Sequence, residues 1–224
     1  MAEVGRAELA RQVVVGFAAG LAAGYAGPLA GTAAAGTAPA VLAGMDYISA
    51  TVGARRMRHA TETLTDAADE FGAQTLQEFL DFVEAAVADE GRQELLARAL
   101  TIAQDTALRN KRRALGRALA SAANDTGTKV DAELLFIRIL ADLDEPHIRL
   151  LKLLSTKPLQ NDRNLWYPST IAQIDPGLAE TAESLMRTLS QLGLTRSVNI
   201  ADIDFHYRIT KYGKEFVTRL ADPA

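Results

Sequence analysis

The C-terminal third of the chain is organised around residues 185–216, LMRTLSQLGLTRSVNIADIDFHYRITKYGKEF. Leucines at helical spacing lead into Gly193, and a glycine after the last apolar helix position is a usual helix end. Apolar and polar residues then alternate over 203–209, which predicts a half-buried strand, and a preceding strand is predicted at 197–200. The stretch therefore predicts a helix, a β-hairpin and a closing helix over 211–220.

Two more helices are predicted upstream of this stretch. The segment HIRLLKLLS at 147–155 is too apolar to lie in solvent, and a short helix is predicted to start at Ser169 or Thr170. Asp175-Pro176-Gly177 predicts a turn, and the helix before the hairpin is predicted to span 178–194. Trp166 and Tyr167 are predicted to be core or loop-anchoring residues.

The order of these elements resembles the winged-helix superfamily. The resemblance rests on apolar and turn positions around the hairpin, namely Leu189, Leu192, Gly193, Leu194, Tyr207, Ile209, Thr210 and Gly213. It covers the last third of the chain and implies a fold rather than an activity, because one fold serves many functions. In many members the helix before the hairpin enters the major groove of DNA. The rest of the chain resembles uncharacterised bacterial proteins.

The charges of this region do not favour nucleic acid. The helix over 178–194 carries Glu180, Glu183 and a single cation, Arg187. From residue 147 onward there are ten Lys/Arg and eight Asp/Glu, a balance of +2, whereas DNA binding requires several cations on phosphates. The local group that could contact phosphates is Arg196, Arg208, Lys211 and Lys214. We therefore expect protein interaction rather than DNA contact here.

The opposite end of the chain has a run of 33 residues, 13–45, without any charged side chain. Gly16, Gly20 and Gly24 stand at four-residue spacing, so they share one helix face, a pattern that lets two helices approach closely. Pro28 breaks or kinks the first helix. A glycine/alanine-rich helical hairpin over 1–53 is the prediction, with self-association or membrane contact through the three glycines.

Three interpretations of this hairpin stay open: membrane association, packing inside a soluble oligomer, and a flexible arm. Arginines lie on both sides of it, at positions 6, 11, 55, 56 and 58, which suits two ends on the cytoplasmic face. Two full spans need roughly 40 apolar residues, so the run is short for them. The mixed charges of residues 1–12 do not suggest a cleavable signal. The expected location is the cytoplasm or the inner face of the cell membrane.

The middle of the chain, 54–143, is predicted to be helical. Helices are expected over 75–88, over 94–123 after a separating Gly91, and over 131–143. The basic cluster at 109–117 is the strongest concentration of positive charge in the sequence. With the winged-helix-like domain at 144–224, these regions make a mainly α fold of three parts.

No pattern typical of catalysis is present in the sequence. The chain has no cysteine, and its three histidines stand at no zinc-type spacing. Phosphate-loop, dinucleotide and nucleophile-elbow motifs are missing. The formal net charge is −4, so the overall field does not attract nucleic acid. The predictions are no enzyme activity, no cofactor, no metal and no identified small-molecule substrate.

These observations lead to one main hypothesis and two alternatives. The main hypothesis is a non-enzymatic bacterial protein that forms homo-oligomers or associates with the membrane through its N-terminal segment. The first alternative is a soluble winged-helix regulator that binds DNA. The second is a toxic or defence effector that acts at the membrane.

Overall fold

The computed structural model describes residues 39–124, 128–156, 165–199 and 205–221. They form a mainly helical fold with a two-stranded antiparallel sheet near the C-terminus, which confirms the predicted class at that level. The chain divides into two compact units between Ile137 and Arg138. The predicted N-terminal helical hairpin lies almost wholly outside the described residues.

The first unit is built from four helices and the start of a fifth. These are α1 (Pro39–Phe71), α2 (Leu76–Ala86), α3 (Glu90–Asp105), α4 (Arg109–Ala123) and α5 (Thr128–Asp142). Helix α1 is continuous through residues 53 and 54, where the sequence analysis placed a domain limit.

The most extensive packing within this unit joins α1 to α4. Gly116 of α4 faces the α1 backbone: a Cβ on it would lie 3.1 Å from both the Thr63 carbonyl oxygen and the Ala67 amide nitrogen. The buried side chains of α4 around this point are mostly alanines: Ala114, Ala118, Ala120, Ala122 and Ala123. Small side chains therefore allow the two helix backbones to come close.

Helix α2 closes one end of this packing with aromatic side chains. Thr75 caps the helix by accepting from the Glu78 amide at 3.2 Å, and the Glu78 carboxylate accepts from the Thr75 amide at 2.7 Å. Phe79 and Phe82 are fully buried, and the ring of Phe82 lies 5.2 Å from that of Phe71, centroid to centroid. The capping box thus starts the helix where its phenylalanines can reach the core.

The single helix predicted over 94–123 is wrong, because α3 and α4 are separate. Helix α3 begins at Glu90, so Gly91 lies within its first turn and does not separate two helices. The chain becomes extended at Thr106, and Arg112 donates to the Thr106 and Ala107 carbonyl oxygens at 3.3 and 3.0 Å. The guanidinium thereby satisfies carbonyl groups that the helix end leaves without partners.

The second unit contains four helices, a short 3-10 turn and a hairpin. Its elements are α6 (Glu145–Thr156), α7 (Pro168–Ile174), the turn Pro176–Leu178, α8 (Ala182–Gln191), β1 (Thr195–Asn199), β2 (Phe205–Ile209) and α9 (Lys211–Leu220). Helix α6 packs against α8, α9 and β2, so its leucines lie at the centre of this unit.

Two predicted helix limits in this unit need correction, and one is confirmed. Helix α7 begins at Pro168, since proline fits the first helical turn, where its missing amide costs no hydrogen bond. The helix predicted over 178–194 is shorter at both ends, because Leu178 belongs to the 3-10 turn, Ala182 begins α8 and Gln191 ends it. Gly193, with φ 74°, follows the helix end as predicted.

Trp166 adds a single-residue strand to the hairpin. Its amide donates to the Tyr207 carbonyl oxygen at 2.9 Å, and the Tyr207 amide donates back to the Trp166 carbonyl oxygen at 3.0 Å. Trp166 is 2% exposed, in agreement with its predicted core position. The order across the sheet is therefore β1, β2 and Trp166.

The hairpin is joined to α9 through Thr210 and Gly213. The Thr210 hydroxyl accepts from the Gly213 amide at 2.9 Å and caps α9, and the Thr210 amide donates to the Leu194 carbonyl oxygen at 3.0 Å. A Cβ on Gly213 would overlap that same carbonyl oxygen. This contact fixes where α9 starts relative to β1.

The close approach at Gly116 gives a first prediction. Gly116→Leu should lower the free energy of unfolding by about 1–3 kcal/mol, because the added side chain has no room between the backbones. Gly53→Leu is the matched control, since a Cβ at Gly53 of α1 meets no atom within 4 Å. Denaturant unfolding followed by circular dichroism measures both, and equal stability of the two variants would contradict the packing.

Candidate functional site

The four residues named from the sequence as a group that could contact phosphates all lie on the hairpin and the start of α9. Arg196 of β1 and Arg208 of β2 are directly opposite each other in the antiparallel register, and both are exposed. Directly opposed like charges destabilise a sheet. Neither arginine forms an ion pair with any residue in the described ranges.

The two lysines occupy the first turn of α9. The Lys211 side chain is 93% exposed, and its Nζ lies 3.7 Å from Oε1 of Glu215. Lys214, three residues later, is also exposed. Cations at a helix N-terminus oppose the helix dipole, so these lysines do not stabilise α9 through it.

Two other arginines of the second unit have carboxylate partners. Arg149 of α6 makes two contacts of 2.6 Å with Asp175, whose carboxylate also accepts from the Gly177 amide. Arg187 of α8 lies 3.0 Å from Glu183, one turn earlier on the same helix. The arginine pair of the hairpin therefore differs from these cations in having no described acid beside it.

A cleft of about 370 Å³ lies between α8 and the hairpin. Its lining combines polar groups with apolar surface and is shared by the two elements: Arg187, Ser190 and Gln191 from α8, and Ser197 and Tyr207 from the hairpin. Ser197 faces Tyr207 in the strand register, so both lie on the sheet face opposite to the arginines. This cleft was not predicted from the sequence, because the period of each strand does not reveal which residues of the two strands face each other.

The basic cluster at 109–117 is partly buried inside the first unit. Arg112 is buried, and its guanidinium donates to the Glu62 carboxylate of α1 at 3.2 Å as well as to the carbonyls that end α3. Lys111 is also buried, at 4% exposure. The strongest positive cluster in the sequence therefore contributes to helix packing and is not a free surface patch.

Two titratable groups of α1 lie beside this cluster. Burial, followed by the nearby charges of Arg112 and Arg55, lowers the pKa of His59 below its usual value of 6.5. Burial raises the pKa of Asp66, while Arg113 and Arg109 act in the opposite direction. The Nδ1 atom of His59 is buried and has no hydrogen-bond partner in the described part of the chain.

The three glycines predicted to mediate self-association, Gly16, Gly20 and Gly24, lie outside the described residues. Within the described ranges, no helix combines the length and apolar character that crossing a membrane requires. No group of three or more metal-ligating side chains comes together in those ranges either. Comparisons with protein-family models, curated proteins and solved structures find no match.

The buried imidazole of His59 gives a second prediction. Because its pKa is lower in the folded chain than in the unfolded one, the unfolded chain binds the proton first as the pH falls. The free energy of unfolding should therefore decrease from about pH 7.5 to about pH 5.5, and this decrease should be smaller in His59→Gln.

Denaturant titrations of the first unit at both pH values measure this effect. His147→Gln is the control, because His147 lies in the second unit and is not fully buried. An equal loss of stability in wild type and His59→Gln would show that another group causes the acid sensitivity.

Proposed function

We propose that this chain is a non-enzymatic bacterial protein that self-associates or binds the membrane through its N-terminal small-residue segment. The remainder lies in the cytoplasm, at the inner face of the membrane when the segment is bound there. The C-terminal unit acts as a winged-helix-like domain that binds other proteins.

One observation on α1 supports the role of the N-terminal segment. Residues 52–56 are all exposed, and five consecutive residues cover every face of a helix. The first buried side chain of the described part of α1 is His59. This stretch of α1 therefore presents no buried face, and the helix begins at Pro39, within the uncharged run at 13–45. A helix that joins the end of this run directly to the first unit is suited to connect an apolar segment to the rest of the chain.

The arrangement of the second unit supports the winged-helix resemblance. Helix α6 is followed by the strand residue Trp166, helices α7 and α8, the hairpin and α9. The short strand pairs with β2, so the hairpin is anchored to the helices on one edge. This is the element order that the resemblance leads us to expect.

Protein binding is favoured over DNA binding by the charges of α8. Its single cation, Arg187, is paired with Glu183, so the helix that would enter a major groove offers no free positive charge. A soluble DNA-binding regulator is the alternative, and it depends on Arg196, Arg208, Lys211 and Lys214. A toxic or defence effector shares the proposed membrane contact, and growth arrest on expression would distinguish it.

Leucine substitutions on two faces of the N-terminal segment test the proposal. In the full-length chain, Gly16→Leu, Gly20→Leu and Gly24→Leu together should change the oligomer size, because leucine prevents close contact between backbones. The matched control places leucines at Ala18, Ala22 and Ala26, about 200° around the same helix, with nearly the same added apolar volume.

Light scattering after gel filtration gives the oligomer size, and flotation with phosphatidylcholine and phosphatidylglycerol vesicles gives membrane binding. The glycine variant should depart from wild type in one of these measurements, while the alanine variant should resemble wild type. A wild-type chain that is monomeric and does not float would rule out the proposal. Equal behaviour of both triple variants would rule out the glycine face.

A further inference from the structure

We propose that the free edge of β1 binds an extended acidic segment of a partner protein, which adds to the sheet as a further strand. This inference rests on the proposed role of the C-terminal unit as a protein-binding domain and names the chemistry of its partner. The binding surface consists of the β1 edge, the exposed arginine pair on one face of the hairpin and the cleft beside α8 on the other.

The hydrogen bonds of Trp166 show which backbone groups of β1 point outward. Tyr207 exchanges both of its backbone hydrogen bonds with Trp166, so neither its amide nor its carbonyl points toward β1. In an antiparallel ladder, the residue opposite such a position also directs its amide and carbonyl away from the partner strand. That residue is Ser197.

The same alternation shows which neighbouring pair is hydrogen-bonded across the hairpin. The Thr210 amide donates to Leu194, so the positions two residues along, Arg196 and Arg208, form a pair that is hydrogen-bonded across the hairpin. Backbone groups of β1 therefore point outward at every second residue. In the described part of the chain, no strand pairs with this edge.

The side chains beside the edge indicate an acidic polypeptide. Arg196 and Arg208 stand on the solvent-facing side of the hairpin without a described acid, and their mutual repulsion is relieved by carboxylates. In an added strand, every second side chain lies on this face. A partner segment with Asp or Glu at alternating positions therefore places its carboxylates beside the arginines.

The other side chains of the added strand meet the cleft. Ser197, Ser190 and Gln191 supply hydroxyl and amide groups there, while Tyr207 supplies an aromatic wall. Small polar or apolar side chains suit this lining, because hydroxyl, amide and aromatic groups border it. Acidic side chains are not favoured there, because Arg187 is already paired with Glu183. Strand addition requires a polypeptide backbone, which nucleic acid does not have, so the edge favours a protein segment.

A labelled peptide that alternates valine and glutamate is the probe, with binding to the full-length chain measured by fluorescence anisotropy. We expect binding that weakens as salt rises from about 0.05 M to about 0.5 M, since the charges are exposed. A valine–lysine peptide of the same length should not bind. Methylating the peptide amides that face β1 should weaken binding at least about tenfold, because each lost donor leaves a β1 carbonyl without its partner.

Two variants of the chain test separately the charges of the arginine pair and the backbone groups of the β1 edge. Arg196→Gln with Arg208→Gln should weaken binding at least about tenfold, while Arg149→Gln, on α6, should not change it. Ser197→Pro removes the outward amide but no hydrogen bond between the strands, and proline is tolerated in edge strands. It should also weaken binding, and the methylated peptide tests the same contact without altering the protein.

Several outcomes would overturn the proposal. Equal affinity for the methylated and unmethylated peptides would exclude strand addition, and unchanged affinity of the double glutamine variant would exclude the arginine pair. Salt-sensitive binding of a duplex DNA that depends on both arginines, without peptide binding, would assign this surface to nucleic acid. The N-terminal segment takes no part in peptide binding at β1. If the peptide fails to bind, oligomer size and flotation therefore still test the proposed function.

Discussion

The first unit depends on the distance between α1 and α4 at Gly116. Because a Cβ there would already crowd the Thr63 and Ala67 backbone, the crossing favours glycine over any larger residue. This approach places the long side chain of Arg112 between the helices, where it reaches Glu62 and the end of α3. Buried charges are tolerated only when they are hydrogen-bonded, so the packing and the arginine contacts support each other.

This arrangement separates the cations of the chain into two groups. Those at 109–117 include buried arginine and lysine side chains with a structural role, although the sequence makes them the most conspicuous basic cluster. Those on the hairpin are fewer, yet Arg196 and Arg208 are exposed and without described partners. The exposed arginines of the hairpin, rather than the denser cluster at 109–117, are therefore the cations that a partner can contact.

Local signals made part of the fold predictable. Helix α9, the hairpin and the end of α8 followed from Gly193 and from the alternation of side chains, which act over a few residues. The break between α3 and α4 did not, because Thr106-Ala107-Leu108 contains neither glycine nor proline, and the contact of Arg112 that stabilises it has no sequence pattern of its own. The four cations of the candidate site came from the sequence, but the direct opposition of two of them did not. Strand register depends on the whole hairpin, and a one-residue strand such as Trp166 has no period to detect.

The outward backbone of β1 also has a consequence for the behaviour of many copies of this protein. An unpaired strand edge is a template on which identical chains can stack, and soluble proteins often guard such edges with charge. If two β1 edges met, Arg196 and Arg208 would bring four guanidinium groups together on one sheet face. The arginine pair that suits an acidic segment thus also opposes aggregation of identical chains through the β1 edge.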